Sequence, residues 1–334
     1  MRNWFQSQTW HKLKWPLAAL ALVLAYNFFF TPGFFQIEIK NGRLYGSLVD
    51  ILNRAAPMML VTLGMTLVIA TGGVDLSVGA LMAISGAVAA LLLTQTALAV
   101  PAVMAIALGA ATVAGLLNGA LIGFLQVPPI VATLVLMVSG RGVAQLITDG
   151  QIITFSNPAF EFIGRGAVLG MPFPVVLVVL GCVALVLFTR KTAAGLFIEC
   201  TGDNEKSSRY SGVNTRLVKM LVYGICALLA GLAGLIYVTN IKAADSNNAG
   251  MWMELDAILA TVIGGTALTG GRFYLLASLA GAALIQALTT TILTRGVPVE
   301  WTLVVKALVI TGVCLLQSEP FRRSVQSLWR KSPA

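Results

Sequence analysis

Asp75 is the carboxylate that stands deepest in an apolar setting. It lies in TGGVDLSVGALMAISGAVAA, residues 71–90, two positions after the glycine pair 72–73. Paired glycines take the backbone angles that end a helix, and a carboxylate just beyond them can cap the next helix by accepting the amide of Ser77 or Val78. It also suits the lining of a polar path, because ionisable groups inside a membrane default to a functional reading. Asn53, Asn118, Thr133, Gln145 and Gln286 lie within other apolar runs. They suit hydrogen bonding to a polyol, and equally suit bonds between helices. Little else carries chemistry. His11 is the single histidine, and the four cysteines are isolated, with no CxxC. There is no metal-ligand cluster, no nucleophile with a base, and no GxxxxGK[ST] loop to cradle a triphosphate. The chain reads as a non-catalytic polypeptide without metal or cofactor.

The elements that hold these residues are membrane spans. Of 334 residues, 57% are hydrophobic and 10% charged, and the mean hydropathy is +0.88. A soluble domain does not look like this. Runs of spanning length fall at about 16–35, 50–70, 75–95, 98–124, 128–148, 171–189, 217–239, 255–270, 273–293 and 299–317. The expectation is an all-α polytopic membrane protein of about ten helices in a single transmembrane domain. Residues 1–15 and 318–334 form tails, and the run after Pro16 is a retained first span. Arg54 and Arg141 can snorkel to the interface, whereas Lys306 lies too deep in the last run and must face protein. An apolar run, a glycine pair and a small-residue helix occur at 65–90 and again at 258–283, an echo that fits two related halves.

The net charge of +9 might suggest nucleic acid, but the basic residues sit between apolar runs and at the ends. Residues 1–15 hold three Lys/Arg, 190–219 six, 318–334 four and the 270–272 turn one, fourteen on one face against five on the other. The positive-inside rule then makes both termini and the 190–219 segment cytoplasmic. In that segment Asn204 can cap a helix that runs to Tyr210, Gly202 and Gly212 can act as breaks, and Asn214 can cap the helix that follows. It looks built rather than slack, and suits a docking surface for a cytosolic partner.

Ordered motifs carry a resemblance across residues 48–317: ILNRAAP (51–57), GMTLVIATGGVDLSVGALMAISG (64–86), NG (118–119), PPIVATLVLMVSGRGVAQLIT (128–148), TGDNEKSSRYSGVNT (201–215) and ELDAILATVIGGTALTGGR (254–272). The chain resembles the permease subunits of bacterial ABC importers for ribose, xylose, arabinose and galactose. Segments 43–57, 140–155 and 242–260 look closest to the galactofuranose-importing branch. The resemblance implies an inner-membrane permease paired with a second permease chain. It also implies a cytosolic ATPase docked on a coupling loop at 190–216 and a periplasmic sugar-binding protein on the opposite side. Carried over residue by residue, the docking set is Gly202, Asn204, Ser207, Ser208, Gly212 and Asn214. The family usually has alanines where this chain has Ser207 and Ser208. An ion-coupled secondary transporter is the rival reading, for which Asp75 would be the one buried titratable group.

Overall fold

A computed structural model describes residues 2–40, 42–296 and 298–317; the 318–334 tail lies outside them. The first helix, α1 (Arg2–Phe30), leads through a hairpin of β1 (Glu38–Lys40) and β2 (Arg43–Tyr45) into α2 (Ser47–Ala70). There follow α3 (Val78–Gln95), α4 (Val100–Gly123), α5 (Pro129–Ile147), β3 (Ile153–Thr154), α6 (Pro158–Arg165), β4 (Ala167–Val168), β5 (Met171–Pro172) and α7 (Phe173–Lys191). Two short helices, α8 (Ala194–Asp203) and α9 (Glu205–Tyr210), precede α10 (Thr215–Ile241), β6 (Ala243–Ala244), α11 (Met253–Ile263), α12 (Leu275–Thr294) and α13 (Val299–Gln317). Among the described residues, eight helices are long and apolar enough to cross a membrane: α1 to α5, α7, α10 and α12. The protein is a mostly helical, polytopic membrane protein.

The two helices at the centre are α2 and α10. α2 is enclosed by α10, α12, α11 and α7, and α10 also packs on α3 and α4. Small residues allow the closest of these approaches. Gly115, Gly119 and Gly123 recur every fourth residue on α4, and a Cβ at any of them would strike the α10 backbone or the Ala227 methyl. Spacing of this kind lets two helix backbones touch where lipid supplies no hydrophobic drive. α1, α4, α5 and α7 keep broad apolar faces outward.

Two boundaries and one side chain differ from expectation. Residues 2–15 are not a separate tail but continue α1, with Pro16 inside the helix. Nothing in RNWFQSQTWHKLKW stops a helix, and Pro16 removes only one backbone donor. The run 255–270 is helical for eleven residues only, as α11. At 1.5 Å per residue it reaches about 16 Å, half a hydrocarbon core, before Gly265, at φ +84°, turns the chain. Arg141 does not snorkel. Its guanidinium donates to the carbonyls of Ser246, Asn247 and Ala249 at 2.8–3.1 Å, tying α5 to the connection after α10. Lys306, as expected, faces protein, with Nζ 3.0 Å from Asp256 Oδ2.

Candidate functional site

The segment expected to dock a partner has capped ends and a clamped middle. Asn204 Oδ1 accepts the Ser207 amide at 3.0 Å and opens α9, and Asn214 Oδ1 accepts the Leu217 amide at 3.2 Å and opens α10. Between them Gly212 takes φ +86°, the left-handed turn that favours glycine. The clamp is Glu205. Its Oε1 accepts Arg209 at 2.5 Å and the Thr215 hydroxyl at 3.3 Å, and its Oε2 pairs with Lys219 Nζ at 2.7 Å. α9 is thus fastened to the start of α10.

Burial alone would raise the Glu205 carboxyl, but the adjacent Lys219 ammonium and Arg209 guanidinium outweigh it and hold the group below its ordinary 4.5. A depressed carboxylate contributes stability above its unfolded value and loses it as pH falls through the folded one. The protection factors of the α9 amides should therefore hold at neutral pH and collapse below pH 4.5. Glu205→Gln should show low protection throughout, and a Gln variant with the wild-type pH profile would dismiss the clamp.

Of the six positions that the resemblance assigns to docking, Asn204, Ser207, Gly212 and Asn214 are exposed, and Ser208 is buried with its hydroxyl donating to the Cys200 carbonyl at 2.7 Å. Serine in place of alanine at 208 is thus satisfied inwardly. Gly202 is not a break: α8 runs through it to Asp203, and it is a point of close approach to the ends of two other elements. The most exposed aromatic ring of the segment is Tyr210, at 93%. Sequence reasoning used it only as a helix end.

The glycine break at 72–77 gathers two of the path candidates, Asp75 and Thr133. Asp75 is fully buried, and its Oδ1 accepts both the Ser77 amide, at 2.9 Å, and the Ser77 hydroxyl, at 2.5 Å. The Ser77 amide is one of the two expected donors, but the bond closes a turn ahead of α3, whose N-cap is Ser77 and carries no side-chain cap. One residue earlier, the Val74 carbonyl accepts the Tyr223 hydroxyl of α10 at 3.3 Å and lies 3.4 Å from the Thr133 hydroxyl of α5, which donates to the Pro129 carbonyl of its own helix at 2.9 Å. Tyr223 escaped sequence reasoning because it sits in an ordinary apolar run. Asn118 is buried in α4, and neither atom of its amide group has a partner among the described residues.

The other path candidates do not join this group. Asn53 lines a cavity of about 790 Å³ with Asp50, Arg54, Tyr45, Glu161 and Asn240, where α2 begins and α10 ends. Gln145 donates to Asn247 Oδ1 at 2.6 Å, beside the Arg141 contacts. Gln286 reaches only Thr290 of its own helix, at 3.4 Å. A further polar contact was missed: Asn27 is buried and donates to the Thr291 hydroxyl at 2.7 Å, tying α1 to α12.

A bundle with broken helices, buried uncharged polar groups and a capped, charge-clamped segment on one face is the frame of a permease. Residues 47–314 match the family described as the permease component of the branched-chain amino acid transport system. The chain belongs to this permease family. It is 51% identical to the galactofuranose transporter permease protein of Escherichia coli strain K12, over 93% of this chain and 92% of that one. It is 36% identical to the fructose import permease protein FruF of Bifidobacterium longum, over 96% and 91% of the two chains. With the ribose import permease protein of Escherichia coli strain K12 it shares 36% identity over 95% and 97%. As a multi-span permease component, the chain is a transport subunit rather than a catalyst. The permease family accounts for what the residues lacked, a phosphate-binding loop and a nucleophile.

Proposed function

We propose that this permease forms the translocation path of an ATP-driven sugar importer in a bacterial inner membrane, and that the sugar is galactofuranose. The observation that carries the reading is the 51% identity, over nearly the whole chain, to a galactofuranose transporter permease. Relatives named for ribose and fructose stand at 36%, so another small sugar of the same class is the alternative substrate.

In this reading the 190–216 segment is cytoplasmic and receives an ATPase subunit, through the exposed Asn204, Ser207, Gly212 and Asn214 rather than the inward-facing Ser208. A second permease chain completes the path, and a periplasmic sugar-binding protein delivers the solute to the opposite face. The single domain thereby has its termini and docking segment on one side. The basic side chains that cluster on the docking side support this orientation. Binding of ATP or of loaded binding protein shifts the helices between openings only to the extent that each binds one state more tightly. Deleting the gene should abolish uptake of labelled galactofuranose and leave ribose uptake intact. Lost ribose uptake with galactofuranose uptake preserved would transfer the assignment to ribose.

A further inference from the structure

Gly202, Gly270 and Gly271 bring three pieces of backbone together with no side chain between them. Gly202 lies in the last turn of α8, two residues before the cap that opens α9. A Cβ there would fall well inside contact distance of the Ala70 carbonyl oxygen, at the end of α2, and 2.5 Å from the Gly271 nitrogen. That same Ala70 carbonyl accepts the Gly271 amide at 2.9 Å. A Cβ at Gly270, which sits at φ +90°, would lie 2.8 Å from the Gly72 nitrogen and 2.9 Å from the Gly202 carbonyl oxygen. The end of the docking segment, the turn between α2 and α3, and the turn between α11 and α12 therefore meet as bare backbone.

This contact differs in kind from the glycine stripe of α4. The stripe lies along one helix pair, whereas the junction joins a surface segment to the two places where the bundle's helices are broken. Side chains absorb small displacements by changing rotamer, but backbone in direct contact has no such slack, and close-packed interiors transmit strain. The turn at 72–77 in turn holds Val74, whose carbonyl carries the Tyr223 hydroxyl and touches Thr133 of α5. A shift of α8 thus reaches α2, α3, α5, α10 and α12 through one small knot.

We propose that Gly202 is the positioning residue that couples the docking segment to both glycine turns, so that the three segments move as one rigid unit when the transporter changes state. The proposal rests on the docking reading given above. Its test is Gly202→Ala in the assembled transporter, reconstituted with the ATPase that co-purifies with the wild-type chain and with its binding protein. Gly109→Ala serves as control, because a Cβ there meets nothing within 4 Å.

Gly202 packs inward on Ala70 and Gly271 and is not one of the exposed docking positions, so the expected result for Gly202→Ala is unchanged membrane insertion and ATPase co-purification. Sugar uptake should fall about tenfold, an ordinary size for a coupling free energy, and loaded binding protein should no longer stimulate ATP hydrolysis. Wild-type uptake and wild-type stimulation would overturn the proposal. Should the variant fail to insert, hydrogen exchange on the wild-type transporter decides, comparing vanadate-trapped with nucleotide-free protein. Amides of 68–74, 199–204 and 268–273 should change protection together, and a change confined to one of them would defeat the rigid junction. A wild-type chain that retains no ATPase would instead remove the docking reading, and the coupling role with it.

Discussion

Gly115→Val is expected to unseat α4 from α10 and to strip the detergent-solubilised protein of much of its thermal stability. The added Cβ would overlap the Ala227 methyl and lie 2.9 Å from the Tyr223 carbonyl oxygen, so the helices must part. Overpacking a close contact costs typically 1–3 kcal/mol, and sometimes more. Valine, with two further methyls on a stiff χ1, belongs at or above the top of that range. The better helix propensity of any residue over glycine returns only about 0.5–1 kcal/mol. Gly109→Ala, on the same helix but facing open space, should collect that small gain and melt no lower than wild type. Melting curves of the two variants give the comparison, and equal midpoints would mean that the stripe is not the contact that fixes α4. Since Tyr223 also holds the Val74 carbonyl, parting the helices should loosen the 72–77 break and depress uptake as well as stability.

What the chain disclosed in advance was local chemistry. Asn204 and Asn214 each accept an amide three residues ahead and cap a helix, while Asp75 accepts one two residues ahead and closes the turn before α3; such bonds are written in a few consecutive letters. Pro129 likewise opens α5 where the proline pair places it. What stayed hidden was tertiary. Glycine at 202 signals either a break or a close approach, and only the Ala70 carbonyl and Gly271 amide, far off in the chain, decide between them. The run 255–270 conceals the end of α11 because 264–270 carries no charged residue to mark it. Arg141 seemed free to seek the interface because its acceptors are carbonyls, which every residue has and no letter reveals. Of the polar path candidates Asp75, Asn118 and Thr133 are buried, but spacing along the chain could not say that only Asp75 and Thr133 share a neighbourhood.

Lys306→Met should be the second severe lesion, and its partner should repair it. Lys306 and Asp256 keep 13% and 25% of their side chains exposed, with the charges 3.0 Å apart. Removing one member of a fully buried pair costs about 3–5 kcal/mol, and this pair, only partly buried, falls at or below the lower end of that range. Asp256 lies in the first turn of α11, where the helix dipole favours a carboxylate by about 0.3–1 kcal/mol, so the loss should sit near the lower bound. The reverse variant, Asp256→Asn, leaves an ammonium well inside α13, away from the helix ends where a dipole would act. Its long stem lets the charge travel some way toward water, which limits that lesion too. Replacing both, as Lys306→Met with Asp256→Asn, removes the attraction and the desolvation cost together, and pairs exchanged this way often come out near neutral. The double variant should therefore melt close to wild type while Lys306→Met alone melts far below it. A double variant as unstable as the single would show that α11 and α13 are held by packing around these residues, and that the ion pair adds nothing beyond the space it fills.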